Sequence, residues 1–227
     1  MKRILSILFA INICLSHVQA QVNMSDSIVL VDLYNQTGGA SWLQQYNWLV
    51  GPVSSWQGVI LTGNRVTGLR LPGNGLTGDK LGGPLCRLPM LEVIDLSNNQ
   101  LNGNIPDTFY FLPNLAEVNL SHNDFTGKFP RSLSVGNSLI TVDVSYNQLF
   151  GTIPKELCSL PNLQELKLNN NNFTFDGMEC IAGVTGAMYD NQGKITINKE
   201  NDILTVNEGG IPANKTYTWY KDGSIYV

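Results

Sequence analysis

Hydrophobic and polar positions recur in a fixed order through the middle of the chain. From Leu91, Leu115, Leu139 and Leu163, each 24 residues after the last, it reads LEVIDLSNNQLNGNIP, LAEVNLSHNDFTGKFP, LITVDVSYNQLFGTIP and LQELKLNNNNF without a gap. An earlier copy, VTGLRLPGNGLTG, begins at Val66, 25 residues ahead of Leu91. In the four gap-free copies apolar residues alternate with polar ones at Ile94/Leu96, Val118/Leu120, Val142/Val144 and Leu166/Leu168. Such alternation predicts a short strand with one buried face. One strand of this kind has nothing to bury that face against, so the copies must stack on one another. The period predicts an α/β solenoid of about five rungs, a parallel β ladder with short helical or 3-10 returns.

The rest of each period is turn chemistry. Asn74, Asn99, Asn123, Asn147 and Asn171 recur where each strand ends. A carboxamide there can satisfy backbone donors and acceptors of its own rung and of the adjacent one. Gly103, Gly127 and Gly151 suit a tight bend, and Pro106, Pro130 and Pro154 suit an extended return without a donor. These positions read as structural.

The flanks differ. SDSIVLVDLYNQTGG predicts an amphipathic helix with Ser25 as N-cap, apolar Val29, Leu30 and Leu33, and a stop at Gly38-Gly39. Trp42, Trp48 and Trp56 follow it. Together they would close the open end of the first rung, which otherwise exposes its core. Beyond Phe173 the repeat ends, and FTFDGMECIAGV reads as a closing cap. Lys194–Ile197, Ile203–Val206 and Thr216–Tyr220 then read as strands separated by polar turns. At the other end, a basic Met1-Lys2-Arg3, an apolar stretch over residues 4–15 and Val18-Gln19-Ala20 make a secretory leader with cleavage after Ala20. The apolar stretch is short of the ~20 residues that span a bilayer, and Ile13 before Cys14 argues against a lipoprotein signal.

On these motifs the repeats resemble the leucine-rich-repeat family, in the variant with LxxLxLxxNxLxGxIP. That variant is common in plant receptors and also occurs in secreted bacterial proteins. Plant caps of this kind usually carry Cys-x-Trp-x-Gly-Val-x-Cys, whereas Ser54 and Leu61 stand at the cysteine positions here. The TYTWYKDG stretch, 216–223, resembles the central tryptophan strand of an immunoglobulin-like sandwich. Such a domain needs about 100 residues and seven strands, so the tail reads as an incomplete one. The expected organisation is leader 1–20, N-terminal cap 21–65, repeats and closing cap 66–188, and partial all-β immunoglobulin-like segment 189–227.

Composition narrows the function. Only 14% of residues are charged while 25 are Asn, so polarity comes from amides, and the net charge of −4 is the wrong sign for a nucleic-acid binder. After cleavage His122 is the only histidine and Cys86, Cys158 and Cys180 the only cysteines. Cys86 and Cys158 stand three periods apart, too far for a disulfide, and read as small apolar fillers; Cys158 with Cys180 is the possible pair. There is no GxxxxGK[ST], CxxC or HExxH motif, so no metal or cofactor is expected. Sequons stand at Asn23, Asn35, Asn119, Asn172 and Asn214.

The side chains flanking the strand leucines point onto the concave face. They include Arg70, Asp95, Asn98, Glu117, Asn119, His122, Thr141, Asp143, Tyr146, Glu165, Lys167 and Asn170. Asp95 and Asp143, two rungs and so about 10 Å apart, with Glu117 between them, have the residue types of a paired-carboxylate hydrolase. Nothing suggests the water-excluding cleft such chemistry needs, and the expectation is a protein without enzymatic activity. The strip reads as a recognition surface for a protein or glycan on a secreted or cell-surface monomer. The main reading is part of a larger multidomain bacterial surface protein; the alternative is the ectodomain of a plant-type receptor or a secreted inhibitor.

Overall fold

The structure is a computed structural model that describes residues 22–134, 138–174 and 181–193, with the strand segments 197–200, 203–206, 219–221 and 224–226. The leader, residues 175–180 of the closing-cap motif with Cys180, the sequon at Asn214 and residues 216–218 lie outside the described residues.

The alternating apolar positions form the ladder. Strands β2 (Arg65–Arg70), β4 (Val93–Asp95), β6 (Glu117–Asn119), β8 (Thr141–Asp143), β10 (Glu165–Lys167) and β12 (Gly186–Met188) pair in parallel in that order. Leu69, Ile94, Val118, Val142, Leu166 and Ala187 stand in one register. The first five are 0% exposed, as are Leu96, Leu120, Val144 and Leu168 two residues on. The core is a continuous column between rungs. β1 (Val59–Thr62) closes the N-terminal edge by pairing antiparallel with β2.

A second parallel sheet runs alongside the first: β3 (Thr77–Gly78), β5 (Gln100–Asn104), β7 (Asp124–Lys128), β9 (Gln148–Gly151) and β11 (Asn172–Phe173). Sequence reasoning placed bends here. Gly103, Gly127 and Gly151 do take positive φ (73°, 87° and 85°), but within these strands. At Gly127 a Cβ would stand 2.3 Å from Asn104 Oδ1, so the rungs approach more closely than a side chain allows. The returns are mostly short 3-10 turns, such as Lys155–Ser159 entered through extended Pro154.

Helix α1 (Met24–Gln36) precedes the ladder. Its N-cap is Asn23, not Ser25: Asn23 Oδ1 accepts the Ser25 N–H at 2.9 Å. Val29, Leu30 and Leu33 are buried, and the chain turns at Gly38 with φ 73°. The helix is tied to the ladder by a pair that the sequence pattern does not announce. Arg65 Nε and Nη2 donate to the two oxygens of Asp26, each at 2.9 Å, and the Val66 N–H donates to Asp26 Oδ2 at 2.9 Å. Asp26 is 0% exposed. Its hydrogen bonds raise the Arg65 pKa above the ordinary guanidinium value, against the desolvation that works to lower it. Tyr34, Trp42, Trp48 and Trp56 pack in sequence, the first two contacts edge-on and the third tilted, with neighbouring centroids 5.1, 4.8 and 4.9 Å apart.

The ladder runs past Met188, where the sequence boundary was drawn. Leu168 donates to the Met188 carbonyl, Asn170 to that of Asp190, and the Gly193 N–H to that of Asn171. Residues 189–193 therefore complete a sixth rung instead of opening a new domain. Beyond it β13 (Ile197–Glu200) pairs antiparallel with β14 (Ile203–Val206), and β15 (Trp219–Lys221) with β16 (Ser224–Tyr226). Residues 194–196 of the first expected strand lie outside the described residues, β13 runs on to Glu200, and β16 was not foreseen.

Candidate binding site on the ladder face

The asparagine column holds the rungs at fixed spacing. Asn123 Nδ2 donates to the carbonyls of Leu96, Leu120 and Ser121 at 3.0–3.2 Å, while its Oδ1 accepts the Leu101 N–H at 3.0 Å. Asn99, Asn147 and Asn171 repeat that pattern. Asn74 differs because no earlier rung precedes it: it bonds to the backbone N–H and carbonyl of Gln44. At the far end Gln192 takes the same role, donating to the Leu168 carbonyl and accepting from Phe173. These repeated bonds to backbone groups of adjacent rungs give a rigid frame for the side chains on the outer surface.

Those side chains fall into three columns. The first carries Gly68, Val93, Glu117, Thr141 and Glu165; the second carries Arg70, Asp95, Asn119, Asp143 and Lys167. Asn119, not Glu117, therefore stands between Asp95 and Asp143, and Glu117 lies in the neighbouring column. They surround a shallow groove of about 300 Å³. Asp95, Asn119 and Asp143 are partly committed to the fold. Their Oδ1 atoms accept both the N–H and the hydroxyl of Ser97, Ser121 and Ser145, at 2.6–3.1 Å. Arg70 Nη2 reaches Glu117 Oε2 at 3.0 Å. Lys167 Nζ is 2.6 Å from Glu165 and 3.9 Å from Asp143. The hydrogen bond to Glu165 raises the Lys167 pKa, desolvation opposes it, and the charges of Glu165 and Asp143 add to the rise.

The third column is Gly73, Asn98, His122, Tyr146, Asn170 and Asn191, all left-handed with φ between 52° and 59°. This conformation is rare for a side-chain-bearing residue and least natural for tyrosine. His122 and Tyr146 stack with centroids 4.0 Å apart and planes 12° from parallel. The groove thus brings together every concave residue expected from sequence except Asn98, His122, Tyr146 and Asn170, which form the rim.

Larger depressions lie elsewhere, one of about 790 Å³ beside the second sheet near Lys128 and Phe150, one of about 580 Å³ between α1 and residues 51–56. Among the described residues no group of three or more His, Cys, Asp or Glu side chains is placed to hold a metal ion. Cys86 is a free, half-buried thiol. Cys158, expected to be a filler if not paired, is disulfide-bonded. No helix among the described residues is long and apolar enough to cross a membrane.

Family models described as leucine rich repeat match residues 64–125, 138–160 and 159–182. The ladder is built of leucine-rich repeats. The chain is 40% identical over 83 residues to a probable inactive receptor kinase of Arabidopsis thaliana, covering 36% of this chain and 13% of that protein. The first three curated relatives, all receptor kinases, are matched over only 13–17% of their length. The leucine-rich-repeat ectodomain of the Arabidopsis receptor kinase SOBIR1 superposes with TM-score 0.62 at 28% identity, covering 76% of this chain and 94% of that one. A chain of the Arabidopsis BIR3–SERK2 complex gives TM-score 0.61 at 26% identity, covering 74% and 97%. These likenesses fit the receptor-ectodomain alternative better than a bacterial surface protein. The family matches end at residue 182, so an immunoglobulin-like reading of the tail rests on its sequence motif alone.

Proposed function

We propose that this chain is a non-enzymatic recognition module that works outside the cell, in the manner of a receptor ectodomain, and binds a protein partner on the ladder face. The observation that carries it is the register of the groove columns. Arg70, Glu117, Thr141, Glu165 and Lys167 are held on one surface by strands in fixed parallel register, which is the preorganisation that binding needs. The similar chain from the BIR3–SERK2 complex, an assembly of two proteins, supports a protein ligand over a glycan. Helix α1 and the tryptophan cluster serve as the cap of the first rung, and the leader directs secretion.

The test is binding of the mature protein to an array of secreted and ectodomain proteins. Thr141→Arg, which fills the groove centre, should abolish the binding without changing the urea midpoint. Partners that bind Thr141→Arg normally but lose affinity for Lys128→Glu, beside the second sheet, would overturn the reading. Turnover of a polysaccharide or peptide substrate that is lost in Asp95→Asn would overturn its non-enzymatic part.

A further inference from the structure

The side of the solenoid carries positive charge that the fold does not use. Among the described residues from 22 to 193, eight are Lys or Arg, and four of them stand in ion pairs: Arg65, Arg70, Arg87 and Lys167. The other four are Lys80, Lys128, Arg131 and Lys155, all exposed, and the last three gather beside the second sheet. Lys128 and Arg131 line the depression of about 790 Å³; Lys155 follows Pro154 of its wall, one period after Arg131. Lys128 stands in register with Phe150, its stem over Gly151, where a Cβ would lie 3.6 Å from Lys128 Cγ. Phe150 is 49% exposed, and the equivalent positions of the two earlier rungs carry the polar Asn102 and Thr126. One carboxylate lines the same depression, that of Asp107, whose Oδ1 accepts the Ser132 N–H at 2.7 Å. A single exposed ring is ordinary on a protein surface; a ring set among cations without partners, in a depression, has the makings of a contact site.

We propose that Lys128, Arg131, Lys155 and Phe150 form a second contact surface, which takes an acidic segment of the protein partner held on the ladder face. That the partner is the same one rests on the ladder-face reading above. Tyr146 on the rim and Phe150 are four residues apart, at most about 14 Å along the chain, so one protein can straddle the rim. Arg131 offers a planar fork to a carboxylate, while Lys128 and Lys155 add point charges that steer an acidic surface toward it. The net charge of −4 repels a polymer charged at every unit, such as a nucleic acid. A protein segment instead brings a few carboxylates interleaved with apolar side chains, and one of those can cover Phe150. Asp107 opposes the same ligand, which fixes the sign expected of its removal.

The probe is a random copolymer of glutamate and tyrosine, with polyglutamate, single-stranded DNA and a polyuronate for comparison. It should bind the mature protein more tightly than polyglutamate does, and Lys128→Glu and Arg131→Glu should each lower its affinity about tenfold. Both side chains are exposed and outside ion pairs, so urea midpoints should hold. Phe150→Ser should remove the advantage over polyglutamate. Asp107→Asn keeps an acceptor for the Ser132 N–H and should tighten binding. All of this should fade toward about 1 M salt, where the Debye length is about 3 Å. Thr141→Arg should leave the copolymer bound, which reads this surface apart from the ladder face. A protein partner lost on Thr141→Arg should lose affinity on Arg131→Glu too. A copolymer that does not bind, or that is indifferent to Lys128→Glu and Arg131→Glu, would overturn the second surface. DNA or polyuronate held more tightly than the copolymer would overturn the polypeptide assignment. Copolymer lost on Thr141→Arg would move the acidic site to the ladder face, and a partner sensitive to Thr141→Arg alone would overturn the shared grip; both leave the ladder-face reading standing. A partner indifferent to Thr141→Arg but lost on Arg131→Glu would sink that reading, and the shared grip with it, while the side surface stands.

Discussion

Gln192 Oε1 accepts the Phe173 N–H at 2.9 Å, the same bond that Asn171 Oδ1 makes to the Leu149 N–H one rung earlier at 2.9 Å. A longer carboxamide thus ends the asparagine column, and its Nε2 also reaches the carbonyls of Leu168, Tyr189 and Asp190. Gln192→Ala should free the edge of the last rung without unfolding the earlier ones. Amide exchange at Phe173 should quicken strongly while that of Phe125 stays slow, since solenoid rungs couple mainly to their neighbours. Uniform quickening across all rungs would mean that Gln192 is part of the global fold.

That last rung shows what the sequence conceals. Gln192 follows Asn171 by 21 residues instead of 24, and Ala187 stands where the other rungs carry Leu, Ile or Val. Both the period and the apolar mark were lost, while the backbone still pairs. The five regular rungs were legible because each repeats the same burial pattern. The second sheet was not, because in segments such as QLNGN only Leu101 is buried, and a positive-φ glycine within a strand reads as a bend. In the site, the columns followed from strand alternation, but the unpaired Oδ1 of buried Asn169 did not. Its lack of a partner depends on Lys167 standing where Asp or Asn stands elsewhere, a contrast visible only once the serine hydrogen bonds are known.

The asparagines should not be equal in value. Asn123→Ala removes one acceptor and three donor contacts and leaves the buried Leu101 N–H without its partner, while the Leu96, Leu120 and Ser121 carbonyls each keep one hydrogen bond. A cost of about 2–4 kcal/mol is expected. Asn74→Ala should cost about half that, because its own bonds go to the part-buried backbone of Gln44 at the rim. Urea unfolding of the two variants checks the order, and a larger loss for Asn74→Ala would contradict it.

Asp26→Asn keeps the shape of the carboxylate and removes its charge. Arg65 would lose an anionic partner, though at 30% side-chain exposure it keeps some access to water. The expected loss is about 2–4 kcal/mol, below the fully buried case. Asp26→Ala should cost more, since the Val66 N–H would then be unpaired as well. Equal stability of both variants and the wild type in chemical denaturation would show that the pair contributes nothing net.

Lys167 gives the groove an alkaline signature. Its folded pKa lies above the ordinary value because of the hydrogen bond to Glu165, with the charges of Glu165 and Asp143 assisting. A raised pKa means that the folded state holds the proton longer than the unfolded chain, whose lysine releases it near pH ~10.4. The stabilisation is therefore fully present below that pH and fades as pH rises through the folded value. Its size should be under about 1 kcal/mol, because the partner Glu165 is well exposed to water. Lys167→Met lacks the proton and should show a stability difference from wild type that is constant below pH ~10 and shrinks above it. Urea midpoints of both proteins across that range measure the difference directly, cancelling every other pH effect that the two share. A gap that widened with rising pH would reverse the sign and show that burial, not the pairing with Glu165, governs this lysine.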